Sequence, residues 1–383
     1  MLAVVRYSGK RVTFAALNNT DRTMSIEEKF FRLLRFSIGT SADSPQISGG
    51  EWAGIYALSR KHSLPGIVFD GVNRMPDSCR PPRELTMRWI AECRQIEKMN
   101  MEAVANVAGL AEALHRRGFR TCILKGQGNA LMYPDPLRRM PGDIDVWLEG
   151  TPREIISFVK RNHPGCTLCY HHADFPPYKG TEVEVHYRPC FMQNMLYNRR
   201  LQRWFSRMAP EQFANEVMIG DRPVAVPTAS FNAVYQLVHI YNHLFNEGIG
   251  LRQLLDYHYV MLSFSRGLTE DRRREFTVTL RHLGLHGFAG AVMYVLREVF
   301  CTPEQSLLVP ADVRRGRFVL AEVLAGGNFG QFDDRYGFSR GAVGHNLQRL
   351  HRDVRMLRYF PAESLGEPIF RLWHFFWRRL NEE

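Results

Sequence analysis

No stretch of this 383-residue chain approaches the ~20 consecutive apolar residues that a membrane-spanning helix needs. Cysteine is sparse: the seven (Cys79, Cys93, Cys122, Cys166, Cys169, Cys190 and Cys301) are odd in number and scattered, which argues against a disulfide framework. Internal repeats and low-complexity segments are absent. The opening MLAVVRYSGKRVTFAAL is broken at Lys10 and Arg11 and lacks a signal peptide's apolar run, so free thiols in a reducing cytoplasm are the expectation. Acid is in the minority, 39 Asp+Glu against 50 Lys+Arg, for a formal charge of +11. That surplus permits nucleic-acid, nucleotide or anionic-membrane partners without selecting among them. What is present is ordinary for a folded protein: 45% hydrophobic residues exclude a disordered chain, and the length allows two or three domains.

The chain divides by hydrophobic period. Ser25-Ile-Glu-Glu28 reads as a capping box opening a helix directly after Met24, so translation starting at Met24 is one expectation and residues 1–24 are set apart. Residues 25–117 read as helical, and the last long pattern, 84–117, ends at Gly118. Within 118–226 the period changes. Thr121–Leu124, Asp143–Leu148, CTLCYHHADF and TEVEVHYR read as strands, and Thr151-Pro-Arg-Glu154 opens a helix between them. From Pro227 the pattern is helical again, to the end of a third region, 227–383. The expected fold is therefore α+β, a small mixed sheet embedded between N- and C-terminal helical regions.

Chemistry concentrates in the island. Asp143 and Asp145 are i and i+2 on a strand and project to one side, with Ile144 and Val146 on the other. Two such carboxylates repel, and a divalent cation allows both to stay ionised. TEVEVHYR repeats the arrangement: Val183 and Val185 inward, with Glu182, Glu184 and His186 opposite. If the two strands are neighbours, Glu184 completes a carboxylate cluster whose oxygen donors suit Mg²⁺ or Mn²⁺. Alone, Asp-x-Asp is more often a solvated strand face. Upstream, however, Lys125-Gly126-Gln127-Gly128 joins a strand to a helix, where glycine lets backbone amides approach a phosphate beside a cation. Neither GxxxxGK[ST] nor a full GxGxxG is present, since position 131 is Leu.

The run Leu124-Lys-Gly, Tyr133-Pro-Asp-Pro, Arg139-x3-Asp143-Ile-Asp145 and Val183-Glu-Val-His186 resembles the uncharacterised nucleotidyltransferase family of the polymerase-beta-like superfamily. The likeness continues through His239, His243 and Gly250–Asp256 and spans about 25–380. Gln127 stands where the superfamily usually has Ser or Gly, and a longer loop, 128–142, precedes the first Asp. The resemblance implies metal-dependent transfer of NMP from an NTP, with release of pyrophosphate. Asp143, Asp145 and Glu184 would hold Mg²⁺ (or Mn²⁺) and carry catalysis. Lys125 and Arg139 would neutralise phosphate, the Gly126, Gln127 and Gly128 segment would cradle it, and His243, Arg252 and Asp256 would face the nucleotide. Family members tend to occur near polysaccharide-biosynthesis genes, which points to a sugar acceptor, while related enzymes modify protein or tRNA. A non-catalytic nucleotide- or RNA-binding scaffold on the same fold is the alternative.

Other features have simpler explanations. His163-x2-Cys166-x2-Cys169-x-His171 has zinc-ligand residue types but irregular spacing, with Cys166 and Cys169 on opposite strand faces. Arg252 and Asp256 are i, i+4, so an intrahelical ion pair is the default. Arg272–Arg274 and Arg314–Arg317 read as solvated helix ends. In 368–380 the stripe Ile369, Leu372, Trp373, Phe376, Trp377 and Leu380 is expected to dock on a helical bundle or partner, with a peripheral membrane contact as the alternative.

Overall fold

The computed structural model describes residues 5–7, 10–12, 24–333 and 351–382. Apart from the short hairpin β1 (Val5–Tyr7) and β2 (Lys10–Val12), the segment preceding Met24 lies outside the described residues. The Ser25–Glu28 capping box forms as expected and starts α1 (Ile26–Ile38), which ends at left-handed Gly39. After α2 (Trp52–Lys61) and α3 (Pro65–Arg74) comes the 33-residue α4 (Arg83–His115).

The chain then builds a four-stranded sheet from β3 (Thr121–Ile123), β4 (Ile144–Leu148), β5 (His172–Tyr178) and β6 (Thr181–His186). Its order is β3-β4-β6-β5. Only the central β4–β6 pair is parallel, and both outer pairs are antiparallel. The short α5 (Gln127–Ala130) and the capping-box helix α6 (Pro152–Asn162) connect the strands. All five residues of β4 are buried because both faces of the strand are covered. Ile144, Val146 and Leu148 join Val183 and Val185 in a small core with α4 and α6. Trp147 points the other way, stacking 5.8 Å from Phe231. Asp145, two residues away, shares the Trp147 face by strand alternation.

Residues 195–225 supply elements that the apolar pattern does not mark: α7 (Met195–Ala214) and the hairpin β7 (Glu216–Ile219)–β8 (Arg222–Ala225). Then come α8 (Ala229–Asn246), α9 (Leu251–Ser265), α10 (Glu270–His282), α11 (His286–Phe300) and α12 (Val313–Gly326). The fold is thus α+β, a small mixed sheet flanked by helices, and the two helical regions share one apolar core. Phe30, Leu33 and Leu34 of α1 belong to the same cluster as Val292, Leu296 and Phe300 of α11. Arg35 of α1 ties the two together by donating from Nε to the Val299 carbonyl at 3.1 Å.

The terminal helix, Pro361–Glu382, sits on this body with a different face from the one expected. Glu363, Ser364, Glu367 and Phe370 are buried, whereas Ile369, Leu372, Phe376 and Leu380 are exposed. The inward polar residues decide the rotation: Glu363 accepts the backbone N–H groups of Gln193 and Asn194, and Phe370, Trp373 and Trp377 gather round Tyr170. The basic run in α10 has local acidic partners, Glu270 for Arg273 and Asp271 for Arg274, as does Arg315 in α12 with Asp312. Among the described residues, no helix is long and apolar enough to cross a membrane.

Candidate active site

Parallel pairing of β4 and β6 places Asp145 opposite Glu184 in register, as the two sequence patterns require if the strands are neighbours. Around Asp145 the structure assembles a charged cluster. Its Oδ1 lies 2.8 Å from Lys125 Nζ and 3.0 Å from His186 Nε2, and the same His186 nitrogen is 3.3 Å from Glu184 Oε2. Glu184 Oε2 is in turn 3.4 Å from His172 Nδ1. Asp145 and His186 are each only 2% exposed, so these pairs act with little screening by water.

The electrostatics follow from that burial. Burial opposes charge on Lys125, but Asp145, Asp143 and Glu184 outweigh it and keep the ammonium ionised well above its ordinary range. Burial likewise opposes the Asp145 carboxylate, and Lys125 and His186 overcome it, holding the pKa far below the usual value. For His186, desolvation is beaten by hydrogen bonds to Asp145 and Glu184, which lift the imidazole to about 9. The Glu184 carboxyl is lowered: its bond to His186 prevails over burial. Asp143 goes the other way, raised chiefly by the charge of Asp145. For His172 burial outweighs the attraction of Glu184 and Asp145 and pushes it to about 4, while burial holds His171 and His239 well below their ordinary range.

The phosphate-side residues divide. Gly126 adopts φ +52°, ψ −118°, a conformation that L side chains rarely take, and with Gln127, Gly142, Asp143 and Asp145 it lines one narrow recess. Gly128 donates its N–H to the Lys125 carbonyl, closing the turn, and a side chain there would meet Val226 at 3.1 Å. The Gln127 side chain turns away from the recess and donates to the Asn100 carbonyl and Oδ1 on α4.

Arg139, Arg252 and Asp256, expected at the nucleotide, form a buried clamp instead. Arg139 makes a bidentate pair with Asp256, Nε to Oδ1 at 2.8 Å and Nη2 to Oδ2 at 2.7 Å, and Tyr133 donates to Asp256 Oδ1 at 2.6 Å. Burial disfavours both charges, but the pairing lowers the Asp256 pKa and raises that of Arg139. Asp256 therefore has Arg139, 117 residues away, as its ion-pair partner, and the intrahelical bridge to Arg252 is not made. Arg252 donates to the carbonyls of Met140 and Pro141, directly before Gly142-Asp143. These residues hold the approach to Asp143. An Arg139 already forked onto a carboxylate has no donor edge left for a phosphate on that side.

The carboxylate cluster also differs from expectation. Among the described residues, the compact donor set that holds carboxylates is Asp145, Glu184 and His186, while Asp143 precedes β4 and sits exposed at the rim. Its makeup is thus mixed oxygen and nitrogen. His239 of α8 reaches the cluster, its Nε2 3.5 Å from Lys125 Nζ. His243, the histidine expected there, packs on the His239 ring and meets Glu247 at 3.2 Å. Sequence reasoning missed His172 and His186 as parts of the site, and of the pair His239 and His243 it favoured His243. For His186 the signal was available, as it lies two residues beyond Glu184 on the same strand face. The zinc-like spacing does not assemble: residues 163–171 lie outside β5, Cys166 packs in the sheet core, and none of the seven cysteines is in a disulfide.

A family model described as "Uncharacterised nucleotidyltransferase" matches residues 48–301, about two-thirds of the chain. No curated protein matches the sequence. Among solved structures, the chain has a loose similarity to an antigenic nucleotidyltransferase-like protein from Paracoccidioides brasiliensis. The identity is 14% and the TM-score 0.29, over 52% of this chain and 92% of the other.

Proposed function

The chain belongs to the uncharacterised nucleotidyltransferase family, and from that membership we propose that it transfers NMP from an NTP to a hydroxyl or phosphate acceptor, releasing pyrophosphate. The observation that carries this reading is the convergence of Lys125, Asp145 and Glu184 on one face of the parallel β4–β6 pair. The carboxylates of Asp145 and Glu184 fit a divalent cation, with Asp143 at the rim beside them. Mg²⁺ or Mn²⁺ bound there would supply charge stabilisation to the α-phosphate and the leaving pyrophosphate.

The chain's own residues do the rest. Lys125 exchanges part of its contact with Asp145 for a phosphate oxygen and so carries positive charge to the reacting centre. Gly126 bends the backbone so that the triphosphate can approach the recess closely. Asp143, exposed and with a raised pKa, is suited to take the acceptor's proton. The Arg139–Asp256–Tyr133 clamp and Arg252 fix the backbone before Asp143. The acceptor is a sugar, a protein or an RNA.

Calorimetric titration of each NTP with and without Mg²⁺, followed by assay of pyrophosphate, tests the reading. Metal-dependent binding with pyrophosphate release supports it. Metal-independent RNA binding with no turnover would replace it with a scaffold role.

A further inference from the structure

Nucleotidyl transfer as proposed leaves His171 and His172 without a task. His172 begins β5 and faces His186, the end of β6, as its register partner, and His171 precedes it in the chain. The three rings pack with centroids 4.3, 5.2 and 5.4 Å apart, and one ring nitrogen from each lies within 4.8 Å of the others. Glu184 joins them. Consecutive donors His171 Nε2, His172 Nδ1, Glu184 Oε2 and His186 Nε2 are separated by 3.1, 3.4 and 3.3 Å. A tetrahedral ion with bonds of about 2.0–2.1 Å has donor–donor edges of about 3.3–3.4 Å, which these three separations approach, and the remaining edges close as the rings and the carboxylate turn inward onto the ion. His171 also holds a buried Nδ1 with no hydrogen-bond partner, so this ring is fixed among polar groups that leave it half satisfied.

We propose that His171, His172, His186 and Glu184 form a second metal centre, selective for a zinc-class divalent ion. Three imidazoles and one carboxylate favour such an ion over Mg²⁺, which demands oxygen donors. Glu184, with two carboxylate oxygens, borders both this centre and the hard-cation position beside Asp145. Entry of the ion exchanges the proton on His186 Nε2 for a metal bond. The centre rests on these four side chains and stands whether or not the chain transfers nucleotides.

The full chain, stripped with a chelator and then incubated with Zn²⁺, should retain one Zn²⁺ per molecule through desalting, without nucleotide or Mg²⁺ present. X-ray absorption at the zinc edge of the unmutated protein should show an imidazole-rich shell, and Co²⁺ should give the intense visible bands of a four-coordinate site. His171→Ala and His172→Ala should each weaken Zn²⁺ binding at least tenfold, while Glu182→Gln, an exposed carboxylate on the same strand, should leave it unchanged. An oxygen-only shell, or zinc affinity indifferent to both histidine substitutions, overturns the proposal. Circular dichroism identifies a variant that fails to fold, and the absorption measurement on the unmutated chain then decides.

Discussion

Two clusters of buried charge lie at either end of the segment from Arg139 to Asp145, and they are built on opposite terms. Around Asp256 the carboxylate is matched on both oxygens, by a bidentate guanidinium and a tyrosine hydroxyl. Around Asp145 the groups converge without closing. Lys125 and His186 compete for one carboxylate oxygen, Glu184 is shared between two imidazoles, and His171 Nδ1 goes unpaired. A closed cluster has no capacity for a ligand and serves to hold backbone in place. An open one retains electrostatic demand that a cation and a phosphate can meet. The same residue types thus make a clamp in one place and an open charged cluster 111 residues earlier in the chain, according to whether their hydrogen bonds are saturated.

Breaking the open cluster should have the largest effect. Asp145→Asn should lower pyrophosphate release by about 10²–10³-fold or more while circular dichroism stays unchanged. Near-normal turnover would remove Asp145 from the chemistry. Breaking the closed cluster should instead cost stability: Asp256→Ala leaves Arg139 buried without its partner, at about 3–5 kcal/mol read from the urea midpoint.

A pH series separates the two clusters further. His186 is lifted to about 9 from an ordinary value near 6.5, so its pairing stabilises the metal-free protein fully below about pH 6.5. That stability is lost as pH rises through about 9, and His186→Gln should flatten this part of the urea-midpoint profile. The smallest effect expected is at Gly126. Gly126→Ala forces a residue with a Cβ to φ +52°, ψ −118°, costing about 1–3 kcal/mol in the same assay.

The parts of the molecule legible in the sequence are those determined locally. The capping boxes Ser25–Glu28 and Thr151–Glu154 form as read, because their hydrogen bonds span three residues. The pairing of Asp145 with Glu184 was conditional on strand adjacency, and alternation alone set which side chains share a face. Partnerships over long separations left no trace in the pattern. Nothing local marks Asp256 as belonging to Arg139 rather than to Arg252 four residues before it. The terminal helix shows the same limit from the apolar side. Its hydrophobic stripe predicts the buried face, but two buried glutamates and Phe370 set the rotation. The β7–β8 hairpin escaped because its short, half-exposed strands carry little period.

The hydrogen bond from Arg35 to Val299 spans 264 residues, and it sets a schedule for the nascent chain. At about 5–20 residues per second, α1 leaves the ribosome roughly 10–50 s before α11 exists to cover it. During that interval α2 and α3 shield only part of Phe30, Phe31, Leu33 and Leu34, while the sheet and its acidic cluster are already being made. The growing protein therefore carries a sticky, unfinished flank past the synthesis of its own charged cluster. Chaperone demand should fall on the first helices emerging, long before the last ones arrive.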